Sequence, residues 1–275
     1  MIEVMYISSN GKKFNLIGDK MRATNGRFHK YSWKENVEKR KCGDDLIEFI
    51  KEANTYSLTL SLRGILSERM ILLDNLRDAF ENDIIKKRPG RIYFGGWYIE
   101  CFIKESDTAV SGIKNNWSSD DIKIYCPKPF WTKEETIIYE RKSRPETGFL
   151  DYPYDYRYDY TPNLNSVFLE NTEVAPCDIK MVIQGPCLNP EICIGENKYQ
   201  VMTELSSYEY IVLNTSERTA YKVSYNGAIS NVWGSLNRDY DNFKKVPGGK
   251  HIVTTNGNFK VQITAYISRS EPRWI

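Results

Sequence analysis

Tyr56, Leu58, Leu60 and Leu62 alternate with Ser57, Thr59 and Ser61, and the same period of two returns further on. It recurs in Ile122, Ile124 and Cys126, in Ile179, Met181 and Ile183, and in Phe259, Val261, Ile263, Ala265 and Ile267. A segment with this rhythm presents one side to a core and the other to water, which is the signature of a half-buried strand. Repeated along most of a chain, it leaves a sheet architecture as the expectation. Leu46–Ile50 is a shorter strand candidate, and Lys198–Met202 and Tyr208–Leu213 are others. Turn signals separate these segments. Gly95-Gly96 links Arg91–Phe94 to Trp97–Lys104 as a hairpin, and Asn226-Gly227 favours a two-residue turn. Val246-Pro247-Gly248-Gly249 precedes His251–Thr255, and Asn256-Gly257 follows it.

One stretch keeps a different period. Leu66, Met70, Leu73, Phe80 and Ile84 recur at spacings of three and four, interrupted by Arg77, which predicts a helix over 67–85. Ser67 is the expected N-cap, Glu68 suits the first turn, and Lys86, Lys87 and Arg88 suit the C-terminal end. Pro89-Gly90 stops the helix. Its apolar stripe is too short for a coiled coil and is best used to cover a sheet.

The organisation follows from where periodicity fails. Residues 1–134 form a β-rich first domain that closes on the corner Pro127-Lys128-Pro129-Phe130-Trp131. Residues 135–162 lack clear periodicity and read as a Tyr/Asp-rich connector. Residues 163–275 give about seven or eight short strands with turns between them, which suggests a β-sandwich. Tyr152, Tyr154, Tyr156, Tyr158 and Tyr160 alternate within the connector and would line one side of an extended chain. They are the candidate interaction surface, either between subunits or domains or across their own domain.

Composition narrows the function. No apolar run approaches the roughly 20 residues of a bilayer-spanning helix; Met70–Leu73 is among the longest. Lys plus Arg number 38 and Asp plus Glu 36, so the net charge of +2 gives no electrostatic footprint for nucleic acid. The start, Met1 to Tyr6, carries no secretory pattern. The six cysteines are scattered and read as reduced thiols made in a cytoplasm. No Gly-x-Ser-x-Gly elbow, His-Glu-x-x-His pair, phosphate loop or dinucleotide fingerprint occurs, and the two histidines, His29 and His251, fall in different halves. No catalytic, cofactor-binding or metal-ligating residue is therefore assigned, and no cofactor is expected. Asp151, Asp155 and Asp159 recur every four residues, a spacing that fits neither a calcium loop nor a glycosidase pair. Their simplest role is keeping the Tyr tract soluble. Trp233, Trp274, Tyr208 and Tyr210 are aromatics that could stack on sugars, although each is more simply core or surface filler.

Four stretches taken in order resemble the distal tail protein family of long-tailed phages infecting Gram-positive bacteria. They are the strand–helix–hairpin run through Arg91-Ile-Tyr-Phe-Gly-Gly-Trp-Tyr-Ile-Glu100, and Ile122-Lys-Ile-Tyr-Cys-Pro-Lys-Pro-Phe-Trp131. The others are Tyr152-Pro-Tyr-Asp-Tyr156, and Val246-Pro-Gly-Gly through Phe259–Tyr266 to Pro272-Arg-Trp274. The loop from Cys187 to Cys193 matches nothing in that pattern. The resemblance implies a mainly β chain, with an N-terminal split-barrel-like domain bearing one helix and a C-terminal galectin-like β-sandwich. It implies a structural protein without enzymatic activity, acting as a baseplate hub in a homo-hexameric ring. Its expected partners are the tail tube, tape-measure and tail-tip or receptor-binding proteins, with no membrane and no sequence-specific nucleic acid. Its expected location is a virion tail tip assembled in the host bacterial cytoplasm. The alternative is a carbohydrate-binding module for host cell-wall polysaccharide.

Overall fold

The computed structural model describes residues 3–109, 117–140 and 167–273. The tyrosines at 152–160, the aspartates at 151, 155 and 159, and Trp274 lie outside the described residues. The chain divides into two compact units, Met1–Lys133 together with Ser268–Ile275, and Glu134–Ile267.

The first unit runs through β1 (Val4–Ile7), β2 (Lys13–Asn15), β3 (Met21–Thr24), β4 (Lys34–Lys39), β5 (Asp44–Ile50) and β6 (Asn54–Arg63). The helix α1 (Leu66–Ile85) follows, then β7 (Gly90–Phe94), β8 (Trp97–Ala109), β9 (Trp117–Cys126) and the start of β10 (Trp131–Glu140). Two antiparallel sheets share β8. Its first residues pair with β7, in the order β2-β1-β7-β8, and its later ones with β9, in the order β3-β6-β9-β8. A register shift between Ile103 and Glu105 marks the bulge that bends β8 from one sheet to the other. The alternation in β6 reports burial faithfully: Tyr56, Leu58, Leu60 and Leu62 are all buried. Each such Leu contributes roughly 1.5–3 kcal/mol by leaving water. Gly95 and Gly96 both take positive φ (56° and 84°) in the two-residue loop that pairs Phe94 with Trp97. Trp131 is fully buried among Phe28 and Phe94, whose ring centroids lie 5.6 and 6.3 Å away, so the Pro-rich corner seals this core.

The helix is where expected, but its face and its cap are not. Its N-cap is Ile65, with no side-chain capping bond, rather than Ser67. The buried face is Arg69, Leu73, Leu76, Ala79, Phe80 and Asp83, whereas Leu66, Met70 and Ile84 are exposed. The reason is that charged groups end the buried stripe, so apolar spacing alone drifts off it. Asp83 accepts hydrogen bonds from Tyr6 Oη, Ser8 Oγ (2.8 Å), the Ser9 amide (2.9 Å) and Ser9 Oγ (2.6 Å). This ties α1 to the end of β1. Burial alone would raise the Asp83 carboxyl, but these bonds outweigh it and hold the pKa below the ordinary value. Burial, reinforced by Asp83, pushes the Tyr6 phenol up. Arg77, the break in the expected stripe, reaches Ser106 and Thr108 on β8 and lies 3.8 Å from the buried Asp120. Asp120 in turn accepts from Ser106 Oγ (2.9 Å) and Thr108 Oγ1 (2.8 Å).

The second unit holds the rest of β10, then β11 (Val167–Asn171), β12 (Asp178–Gln184), β13 (Cys187–Leu188), β14 (Glu191–Ile194), β15 (Asn197–Gln200) and β16 (Glu204–Leu205). It ends with β17 (Tyr210–Asn214), β18 (Thr219–Val223), β19 (Ile229–Asn231), β20 (Gly249–Thr255) and β21 (Lys260–Arg269). One sheet has the order β19-β18-β17-β12-β21-β10 and the other β11-β20-β14-β15. Ile179, Met181, Ile183, Leu213 and Ile263 from the first, and Leu169, Ile192, Tyr199 and Val253 from the second, are buried to 1% exposure or less. These inward faces make the core. The Asn226-Gly227 turn is wider than two residues, because Val223 pairs with Ile229 and leaves Ser224–Ala228 as the loop. Cys187 and Cys193 sit in different sheets and are free thiols.

Candidate interaction site

The antiparallel hairpin of β4 and β5 in the first unit is paired only with itself among the described residues. Every residue of β5 is exposed, and in β4 only Val37 is partly covered. Leu46 (54%), Ile47 (62%), Phe49 (57%) and Ile50 (41%) are therefore bare. Phe49 and Ile50 are neighbours on a strand and point to opposite faces, so neither face is covered. Asn36 pairs with Glu48 and Val37 with Leu46, which leaves Ile47 unpaired at a bulge. Arg40–Gly43 forms the tip, with Gly43 at φ 86°, an Arg40–Asp45 ion pair and an exposed Cys42.

A two-stranded ribbon is marginal in water on its own, and contiguous bare apolar surface of this kind marks a site that something else covers. Lys34, Lys39, Arg40 and Lys41 are interleaved with Glu35, Glu38, Asp44, Asp45 and Glu48. The arm is thus close to neutral. It lacks the basic character of an arm that grips phosphate backbones, so its attraction is apolar. The sequence offered Leu46–Ile50 as a strand. It gave no sign that the strand stands outside the core, because an apolar run reads as buried.

Apolar side chains are also exposed near both ends of α1. Ile65 (61%), Leu66 (38%), Met70 (36%), Ile71 (62%), Ile84 (44%) and Ile85 (77%) lie off its buried face.

The other candidate residues are dispersed. In the second unit Tyr208 is 89% exposed at positive φ (68°), Tyr210 is 37% exposed, and Trp233 is 50% exposed and stacked on Phe243 at 4.8 Å. Tyr225, 80% exposed on the neighbouring loop, was not singled out by sequence. His29 belongs to the first unit, where its Nδ1 lies 3.9 Å from Glu271. His251 belongs to the second, with Nε2 3.0 Å from the Pro247 carbonyl oxygen. Among the described residues no cluster of three His, Cys, Asp or Glu side chains is arranged to hold a metal. Burial raises the thiol pKa of Cys101, Cys126, Cys177, Cys187 and Cys193, which makes each a poor nucleophile.

Comparison with solved structures decides the architecture. The crystal structure of the SPP1 Dit protein, described as a paradigm of the hub adsorption apparatus in phages infecting Gram-positive hosts, matches 98% of this chain and 99% of its own. The TM-score is 0.63 at 11% identity. The chain has the fold of SPP1 Dit. A chain of the phage P2 baseplate in its activated conformation with Ca matches at TM-score 0.64 and 13% identity, covering 99% of this chain and 100% of that one. The same baseplate with Sr gives 0.65 at 12% identity, with the same coverage. No family model and no curated protein matches the sequence. At these identities the likeness is one of fold, with β strands, one helix and antiparallel sheets in a Dit-like arrangement.

Proposed function

We propose that this chain is a distal tail protein, the structural hub of a phage or phage-like baseplate. In this reading six copies close into a ring through their first units and join the tail tube to the tip or receptor-binding components. The observation that carries the reading is the β4–β5 hairpin, an arm with apolar side chains bare on both faces and without a cover among the described residues of its own unit. A ring of identical copies needs a head-to-tail contact between two different surfaces of one subunit. The hairpin and the exposed apolar start of α1, with Ile65, Leu66, Met70 and Ile71, supply two such surfaces on the first unit.

The Dit-like fold over nearly the full length supports the hub role. We assign the first unit as the split-barrel-like ring former and the second as the galectin-like sandwich that faces the tail's peripheral components. The role asks for shape and no chemistry, and the chain would act within the virion. The tyrosines at 152–160 are kept as a further contact surface of this assembly. The test is electron microscopy of the purified chain, alone and with tail tube protein, where closed six-membered rings are expected. Isolated monomers under both conditions overturn the proposal.

A second reading concerns the second unit alone. Tyr208 and Tyr225 hold their rings almost wholly in water, and Trp233 offers a half-exposed stacked face, the kind of surface on which sugars stack. Glycan-array binding that disappears in Tyr208→Ala would support it; an unbound array would dismiss it.

A further inference from the structure

The chain carries four Asn-Gly dipeptides, at residues 10–11, 25–26, 226–227 and 256–257. Such a pair can convert its own asparagine. The glycine amide nitrogen gives up its proton and attacks Cγ of the asparagine, the carbon–nitrogen bond of the side-chain amide breaks, and ammonia leaves. Water then opens the five-membered imide at one carbonyl or the other, giving aspartate or isoaspartate. Glycine favours the attack because it has no Cβ to obstruct it. Two conditions have to be met. The glycine N–H must be free to approach, and the asparagine side chain must be free to turn toward it.

At three of the four pairs the fold ties these groups down. Asn256 is held most firmly. Its Oδ1 accepts from the Glu191 amide at 3.0 Å, its Nδ2 donates to the Asn189 carbonyl oxygen at 3.0 Å, and its own amide donates to the Glu191 carbonyl oxygen at 3.1 Å. At Asn226 the side-chain Oδ1 accepts from the Ala228 amide at 3.0 Å, while the Gly227 amide donates to the Ser224 carbonyl oxygen at 2.9 Å. Asn10 repeats that arrangement. Its Oδ1 accepts from the Lys12 amide at 3.1 Å, and the Gly11 amide donates to the Ser8 carbonyl oxygen at 2.9 Å.

Asn25-Gly26 meets both conditions. Among the described residues neither the Asn25 side chain nor the Gly26 amide has a hydrogen-bond partner, and both residues are exposed. Asn25 holds φ at 56°, in the left-handed region that asparagine tolerates better than most residues with a side chain.

We propose that Asn25-Gly26 is a self-modification site, the first of the four pairs to convert in the folded protein. Its product falls at a sensitive place. A Cβ added at Gly26 would lie 3.0 Å from Leu58 Cδ1 and 3.0 Å from the Phe28 ring, so the main chain there runs close over the core. Phe28 is buried, with its ring centroid 5.6 Å from that of Trp131, 5.7 Å from Phe94 and 6.2 Å from Tyr56. Isoaspartate reroutes the main chain through the side-chain carbon and lengthens it by one methylene, directly before this contact. A close-packed interior absorbs an added methylene poorly, so conversion loosens the first unit just ahead of β4. None of this depends on the ring.

Peptide mapping of the full chain, held folded in mildly alkaline buffer, tests the proposal. Trypsin releases Ala23–Arg27, in which conversion appears as the mass gain of amide to acid, and enzymatic methylation scores isoaspartate. Asn25 should convert first, and at least about tenfold faster than Asn256, whose side chain has two hydrogen bonds to break before it can turn. In urea the four rates should draw together, because the fold that separates them is gone. Asn25→Gly keeps the left-handed backbone and removes the side-chain amide. Its melting temperature should hold through the same incubation while that of the native chain falls. Conversion at Asn10 or Asn226 ahead of Asn25 overturns the proposal, as do equal rates at all four sites in the folded chain. A melting temperature that falls as far in Asn25→Gly overturns the claim that conversion at this site loosens the unit.

Discussion

Replacing Phe49 with Asp should separate assembly from folding. Phe49 is 57% exposed in the single chain, so its native fold gains little from the ring. A surface change of this kind alters monomer stability by about 0.5 kcal/mol or less. If a neighbouring copy covers the arm, a Phe side chain of about 200 Å² has roughly 100 Å² left to bury, worth about 2.5 kcal/mol per contact. That loss weakens each contact by nearly two orders of magnitude, and an aspartate forced out of water weakens it further. A closed ring repeats the loss at every junction. The assay is sedimentation velocity across a concentration series, with thermal melting of the same samples at a dilution where both proteins are single. The expected result is an oligomer for the native chain, a monomer for Phe49→Asp, and melting temperatures that agree within a few degrees. An intact oligomer would show that the arm does not join copies. A collapsed melting temperature would show that Phe49 packs within its own fold, and would refute the reasoning from exposure.

Asp83→Asn should destabilise the first unit by about 2–4 kcal/mol, because Tyr6, Ser8 and Ser9 lose a charged acceptor that satisfies all of them. The Asp83 pKa is depressed in the folded state, so its contribution is present above the ordinary 3.8 and fades as pH falls through the lower folded value. Acid titration of the melting temperature should accordingly be flatter in Asp83→Asn, and an unchanged acid profile would refute this assignment. Gly90→Ala should also destabilise, because a Cβ there would lie 2.6 Å from Tyr6 Oη and 2.7 Å from Asp83 Oδ2; wild-type melting would contradict that packing. Trp131→Ala should cost about 3–5 kcal/mol through the cavity left between Phe28 and Phe94, measured by urea unfolding.

Much of the sheet architecture was legible because alternation is a direct record of burial. In β6, β9, β12 and β21 the residues that alternate are the ones that are buried. The Gly95-Gly96 hairpin was legible because only a tight loop needs two consecutive positive φ angles. The helix face was misread for a physical reason: Arg69 and Asp83 belong to the buried side, and Asp83 is admitted there by hydrogen bonds that sequence spacing does not reveal. The return of Ser268–Arg273 to the first unit depends on distant contacts, such as Lys51 with Ser270, and has no local signal.

The candidate site was the least legible part. Leu46–Ile50 has the composition of a core strand, and only the lack of a covering element among the described residues shows it to be an arm. At its root Lys51 meets the rings of Tyr31, Trp33 and Phe130, a set that no spacing rule would assemble.

Hydrogen exchange of the hairpin, compared between single chains and the isolated assembly, bears most directly on the claim that this arm joins copies. Assembly should slow exchange across Asp44–Ile50 by at least about tenfold, because an isolated two-stranded ribbon opens readily and a covered one does not. An assembly in which those amides exchange as fast as in the single chain, with protection confined to other surfaces, would contradict it.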